Sequence, residues 1–306
     1  MDIIDIIAIY VKGDYIIMNN VLSGIRWQEQ STESEALLAR LEEAAVAPMK
    51  GGLEAEVCSI TLPDTKLVLK IWNRESRPDV PIQYQVLEQL FRQGCAVSRP
   101  YAWGLDAEGH QVLLTSSGGM PVKKVNAASL AAIAANLLDV HKLEIDSSGS
   151  LKVPAYDFAD YFFPAWAEQP EIQTLAQELA ERGKLTAHQL IHGDYHLGNI
   201  LEDSGRFIII DWTNVQLDDP RYDIAWSMLL FRVYLTERNA SVYRSAFAAK
   251  SSYSQAELEL FEALAALRWL QLHRTTGVPV QRNTLKAIRT LIRENRYLPD
   301  SLSESL

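Results

Sequence analysis

The sequence predicts an α+β protein in two lobes: a small N-terminal lobe built on an antiparallel sheet (residues 1–117, with 1–35 as an extension) and a larger, mainly helical C-terminal lobe (118–306). Three observations predict this. Short apolar runs with period-two alternation fall before residue 118, Lys66-Leu67-Val68-Leu69-Lys70-Ile71-Trp72 being the clearest. Apolar residues at helical spacing dominate afterwards, from Leu130, Ile133, Leu137 and Leu138 to Leu260, Leu264, Leu267 and Leu270. A chain of 306 residues with 48% hydrophobic content has material for two cores.

Taken in order, residues 3–11 fit helix and strand alike, and Tyr15-Ile16-Ile17-Met18 fits a short strand, so this extension supplies an extra edge or a partner surface. Residues 34–45 predict a helix packed on the small lobe. Met49-Lys50-Gly51-Gly52-Leu53-Glu54 predicts a loop between the first two strands, its paired glycines permitting close backbone approach. In the strand 66–72, Leu67, Leu69 and Ile71 share one face while Val68, Lys70 and Trp72 share the other. An ammonium among apolar neighbours wants an anion. Asp79-Val80-Pro81 opens a helix over 82–93, stopped by Gly94, with Val86, Leu87 and Leu90 as its apolar stripe. Leu113-Leu114-Thr115-Ser116-Ser117-Gly118-Gly119 is an apolar strand ending in a small linker. Helices follow over 126–143 and, as a closing bundle, over 226–306; no internal repeat stands out.

Chemistry concentrates in His192-Gly193-Asp194-Tyr195-His196-Leu197-Gly198-Asn199 and in Asp211, which ends Phe207-Ile208-Ile209-Ile210. The turn-forming Glu202-Asp203-Ser204-Gly205 predicts a hairpin that returns Asp211 to the neighbourhood of Asn199. Two hard oxygen donors suit magnesium, which binds few protein groups together with substrate phosphates. Asp194 is expected to accept and orient an acceptor hydroxyl, because phosphoryl transfer leaves the protein mainly positioning and charge neutralisation. His192 and His196, in a tight loop, are expected to be hydrogen-bonded braces.

At these residues the sequence resembles the aminoglycoside phosphotransferase and choline kinase-like family, whose signature His-Gly-Asp-x-His-x-x-Asn is met position for position. The resemblance covers roughly residues 47–275 and implies a two-lobed protein-kinase-like fold with Mg2+ and ATP or GTP as co-substrate. It implies Asp194 as catalytic residue and Asn199 and Asp211 as metal ligands. It also implies Lys70 as the strand lysine that meets the α- and β-phosphates, and Gly51 and Gly52 as the phosphate-covering loop. On the helix 82–93, Gln83 occupies the place where relatives carry a glutamate that pairs with that lysine. Leu114 and Ser116 fall at the hinge that holds adenine. Asp219-Pro220-Arg221-Tyr222-Asp223-Ile224-Ala225 is similar to the family's Asp-Pro-x-x-Asp-Leu-Ala stretch, making Asp223 a structural support, and His141 becomes a core histidine.

The implied activity is transfer of a phosphoryl group to a hydroxyl of a small molecule: an antibiotic, amino alcohol, sugar or homoserine. The acceptor site is expected in the helical lobe, around the aromatic-rich residues 156–166, which equally fit a helix packing its rings into the core. Two rivals follow. A protein kinase would need an activation segment, which the short stretch between Asp211 and Asp223 does not supply, and Gly193 stands where that family carries an arginine. A nucleotide-binding pseudoenzyme would explain Glu54 and Gln83, although it has no need of Asp194, Asn199 and Asp211 together.

A net charge of −10 disfavours nucleic acid as a partner. No apolar run approaches transmembrane length, and the acidic start Met1-Asp2-Ile3-Ile4-Asp5 lacks a signal peptide's basic region, which predicts a cytoplasmic protein without membrane contact. Cys58 and Cys95 lack metal-ligand spacing and are expected as reduced, buried thiols.

Overall fold

The computed structural model describes residues 22–49, 55–72, 78–143, 151–163, 168–275, 277–304 and 306. The helix or strand expected over 3–11, the short strand expected at 15–18, the Gly51-Gly52 loop with Glu54, and Trp166 lie outside the described residues. The chain divides into two compact units: the described part of Ala8–Met120 with Leu201–Thr213, and Pro121–Ile200 with Asn214–Leu306.

The first unit is built on a six-stranded antiparallel sheet comprising β1 (Arg26–Gln30), β2 (Ala45–Met49), β3 (Ala55–Thr61), β4 (Lys66–Trp72), β5 (Pro100–Leu105) and β6 (Gln111–Ser116) in the order β1-β5-β6-β4-β3-β2. Alternation in β4 works as the sequence requires. Leu67, Leu69 and Ile71 join Cys58, Ile60, Val112 and Leu114 in the core, and Lys70 lies on the other face, partly exposed. Helix α2 (Val80–Arg92) is capped by Asp79, whose carboxylate accepts from the Ile82 amide at 3.1 Å; Val86, Leu87 and Leu90 are buried, and Gly94 at φ +80° ends it.

The helix predicted over 34–45 forms only in part. A four-residue helix α1 (Glu35–Leu38) and a 3₁₀ turn (Leu41–Glu43) give way to β2 at Ala45. Helical propensity is overridden because Ala45–Met49 pairs in full register with β3, from Ala45 opposite Thr61 to Met49 opposite Val57, while Ser34 Oγ ties the start of the segment to Tyr101 O at 2.8 Å. Strand β1 supplies an edge beside β5.

Strands β9 (Ile200–Asp203) and β10 (Arg206–Ile209) form the expected hairpin; Ser204 at φ 52° and Gly205 at φ 84° make the tight turn that matches strand twist. A short strand β7 (Met120–Pro121) pairs with β9. Just before it, Gly119 has φ +105°, and a Cβ there would sit 2.3 Å from Glu202 O, so only glycine fits.

The second unit carries α3 (Ala127–His141), α4 (Phe158–Phe162), α5 (Pro170–Gly183), β8 (Gln189–Ile191), β11 (Gln216–Asp218), α6 (Pro220–Tyr234), α7 (Glu237–Ala248), α8 (Gln255–Thr275), α9 (Thr284–Glu294) and α10 (Ser301–Glu304). The closing bundle is as expected. Asn126 and Ser129 cap α3 reciprocally, each side chain accepting the other's amide. The core brings Phe162, Phe163, Trp226, Phe261, Leu264 and Trp269 together from α4, α6, α8 and the residue after α4. No helix among the described residues is long and apolar enough to cross a membrane. Neither cysteine is in a disulfide among the described residues; burial pushes the Cys58 thiol up to about 11, whereas Cys95 is only half-buried.

Asp218, on β11, is 2% exposed; its Oδ1 accepts from the Asp219 amide at 2.7 Å and its Oδ2 has no hydrogen-bond partner among the described residues. Burial, reinforced by the carboxylates of Asp219, Asp223 and Asp157 against that one amide, raises its pKa to about 7. The folded state therefore holds this proton more tightly than the unfolded chain, so the contribution is full below about pH 4 and is lost as pH rises through about 7, to a total of about 4 kcal/mol. Asp218→Asn is expected to melt at higher temperature than wild type at pH 8 and to differ little at pH 4.5. Equal melting differences at both pH values would contradict the assignment.

Candidate active site

In the helical unit the loop after β8 hangs on one buried carboxylate. Asp223, in the first turn of α6, accepts from the His192 amide (2.8 Å) and faces His141 Nε2 (3.0 Å) with Oδ2, and accepts from the Gly193 amide (3.0 Å) with Oδ1. Asp223 and His192 are fully buried. The turn cannot be made with another residue at 193: φ is +79° and a Cβ would meet Asn214 O at 2.7 Å.

Asp194 follows, with each of its polar groups engaged. Its amide donates to His192 Nδ1 (3.3 Å), its carbonyl accepts from Asn199 Nδ2 (2.9 Å), Oδ1 accepts from the Trp226 indole Nε1 (2.8 Å), and Oδ2 lies 3.3 Å from His196 Nε2. The side chain remains 30% exposed. Burial alone would raise its pKa, but His196, the Arg268 guanidinium and the Trp226 donor outweigh it and hold the carboxyl well below the usual range. Asp194 is thus a fixed, ionised acceptor at neutral pH. His196 also accepts from the Gly198 amide through Nδ1 (3.0 Å), shaping the 3₁₀ turn Leu197–Asn199. Asn199 spends its amide nitrogen on the Asp194 carbonyl, and Oδ1 is the acceptor of its side chain.

In the sheet unit Lys70 and Asp211 meet each other. Lys70 Nζ lies 2.9 Å from Asp211 Oδ1, which also accepts from Thr213 Oγ1 at 3.0 Å. Asp211 holds φ 66°, a left-handed conformation that costs a non-glycine residue about 1 kcal/mol or more. The ion pair joins the strand lysine to the expected metal ligand. Gln83 is 2% exposed, and its Nε2 has no hydrogen-bond partner among the described residues. Leu114 is a core residue between β4 and β5, and the Ser116 hydroxyl accepts from the Arg99 amide (2.9 Å) while its own amide donates to Arg99 O (2.8 Å), so both are committed to the sheet. Gly51 and Gly52 lie outside the described residues.

Trp226 and Arg268 in the helical unit and Thr213 in the sheet unit carry no motif, and Tyr222 occupies a variable position of the stretch 219–225. For Arg268 a signal existed, since it is a lone charge inside the apolar run Ala265-Ala266-Leu267-Arg268-Trp269-Leu270. The aromatic segment resolves into two parts. Phe158, Phe162 and Phe163 enter the core, whereas Tyr156, 46% exposed, stacks on Tyr161 (5.0 Å between centroids, 5° between planes), whose hydroxyl donates to Asn214 Oδ1 at 3.0 Å. Asp157 caps α4.

An N-terminal antiparallel sheet with one packed helix, joined to a helical unit whose loop presents Asp194 and Asn199, defines a protein-kinase-like phosphotransferase fold. The chain belongs to the phosphotransferase enzyme family, whose pattern it matches over residues 45–270. The same fold is seen in amicoumacin kinase hAmiN, solved in complex with AMP-PNP, Ca2+ and Ami (13% identity, TM-score 0.60, 90% of this chain and 97% of that one). It recurs in a thermostable mutant of aminoglycoside phosphotransferase APH(4)-Ia (15%, 0.61, 89% and 98%) and in choline kinase LicA from Streptococcus pneumoniae (15%, 0.59, 86% and 98%). No curated protein matches the sequence.

Proposed function

We propose that the protein is a magnesium-dependent kinase that transfers the γ-phosphoryl group of ATP or GTP to a hydroxyl of a small molecule. The observation that carries this reading is Asp194, ionised and held through all four of its polar groups while its carboxylate stays accessible. Such a group accepts a hydrogen bond from an alcohol and aims its oxygen at phosphorus; it contributes orientation more than basicity, since its pKa lies far below neutrality.

The donor chemistry fits magnesium. Asp211 offers a carboxylate and Asn199 an amide oxygen, hard ligands of the kind this ion takes alongside water and phosphate. A magnesium ion held by such ligands would neutralise charge on the transferring phosphate. Lys70 is the proposed phosphate contact of the sheet unit, and its pairing with Asp211 keeps its ammonium directed to that carboxylate. Gln83 in the place of a glutamate leaves Lys70 with Asp211 as its acidic partner. The structures named above are an amicoumacin kinase, an aminoglycoside phosphotransferase and a choline kinase, which, with the family resemblance, directs the acceptor panel to aminoglycosides, other hydroxylated antibiotics, amino alcohols, sugars and homoserine. The exposed ring of Tyr156, stacked on Tyr161, is the proposed acceptor platform.

Mass spectrometry of that panel after incubation with MgATP or MgGTP tests the reading. One acceptor gaining a single phosphoryl group is the expected result. Tight nucleotide binding with every acceptor unmodified would favour the pseudoenzyme.

A further inference from the structure

We infer that Arg268 is a positioning residue for the proposed transfer step: its guanidinium clamps both the Gly193–Asp194 peptide and the Trp226 indole, and through them sets the Asp194 carboxylate. The inference rests on the reading of Asp194 given above.

Arg268 stands on α8, 75 residues beyond Gly193. Its guanidinium carbon lies 4.3 Å from the centroid of the Trp226 ring and 4.6 Å from that of Phe162. From between these rings Nη1 donates to Gly193 O at 3.1 Å and to the Tyr222 hydroxyl at 3.3 Å. Nε is buried without a hydrogen-bond partner among the described residues, so ring faces take over part of the solvation that water would supply.

Gly193 O and the Asp194 amide belong to one peptide group. Arg268 holds its oxygen and His192 Nδ1 its N–H, which fixes the plane from which the Asp194 side chain departs. At the other end of that side chain, Oδ1 is held by Nε1 of the same indole on whose face Arg268 rests. One side chain thus governs both the backbone and the carboxylate of Asp194. Arginine suits the position because a planar cation stacks through its faces and donates within its plane at once; an ammonium cannot do both.

Arg268→Met fills the slot with neither charge nor donor, and Arg268→Lys keeps a charge and N–H donors without the planar guanidinium. In nitrogen-15-labelled protein at neutral pH, the Trp226 indole N–H, assigned by its loss in Trp226→Phe, is expected to leave its hydrogen-bonded position in Arg268→Met while the other indoles stay in place. Arg268→Lys is expected to lie between the two. For the acceptor that stimulates ADP release most, kcat should fall about 10- to 100-fold in Arg268→Met with KM for MgATP unchanged, because misplacement at this scale affects the transfer step rather than nucleotide binding. An unmoved indole resonance, or retained kcat, in Arg268→Met overturns the inference. So does a loss that falls equally on nucleotide KM, which marks a purely structural role. If Arg268→Met does not fold, Arg268→Lys carries both readouts, and its identity with wild type in both is the overturning result. A wild-type protein that phosphorylates no acceptor defeats the reading of Asp194 while the indole measurement still decides whether Arg268 positions it.

Discussion

Asp194→Asn is expected to lower phosphoryl transfer by about 10²- to 10⁴-fold while leaving nucleotide affinity close to wild type, and to lower the melting temperature at neutral pH because the ionised carboxylate stabilises the fold. The amide has nearly the carboxylate's shape, and an oxygen at Oδ1 still accepts from the Trp226 indole, so the loop keeps its form. What is lost is the negative charge beside His196 and Arg268 and the acceptor for the substrate hydroxyl. Since the Asp194 pKa sits below the ordinary carboxylate value, this residue adds no acid limb to the rate above about pH 4. A variant as active as wild type would remove Asp194 from the mechanism.

Asp223→Ala is expected to give the largest loss of stability. Its carboxylate takes the amides of His192 and Gly193 and faces His141 Nε2, all in a fully buried setting. Truncation strands three donors, each worth about 1–3 kcal/mol when left buried and unpaired, so a loss of about 3–5 kcal/mol is expected. Asp223→Asn, retaining one acceptor oxygen, should lose less. Thermal denaturation of the two variants beside wild type measures this. A melting temperature for Asp223→Ala equal to wild type would show that the loop is braced elsewhere.

The parts of the site closest in sequence were the most legible. The spacing from His192 to Asn199 marks the loop, and the alternation of 66–72 alone places Lys70 on the sheet face opposite Leu67, Leu69 and Ile71. The hairpin 200–209 was equally plain, because its turn residues demand left-handed backbone. What local pattern could not carry is contact between distant segments. Arg268 and Trp226 reach Asp194 from two different helices, and no spacing rule links them to the loop. The Lys70–Asp211 pair spans 141 residues for the same reason.

The failures of local reading have physical causes too. Residues 34–45 have helical composition, but hydrogen bonds from β2 to β3 outweigh propensity worth only tenths of a kcal/mol per residue. The aromatic segment 156–163 was ambiguous because core packing and ligand binding draw on the same rings. Only burial separates Phe158, Phe162 and Phe163, which are inside, from Tyr156, which is not.

Acceptor-stimulated, magnesium-dependent ADP or GDP release, measured side by side in wild type and Asp194→Asn across the acceptor panel, tests the central claim most directly. The account predicts release that rises with one acceptor class in wild type, disappears on removal of magnesium, and is lost in the variant although both proteins bind nucleotide equally. Nucleotide binding without stimulated release in wild type, or stimulation that survives in Asp194→Asn, would contradict it.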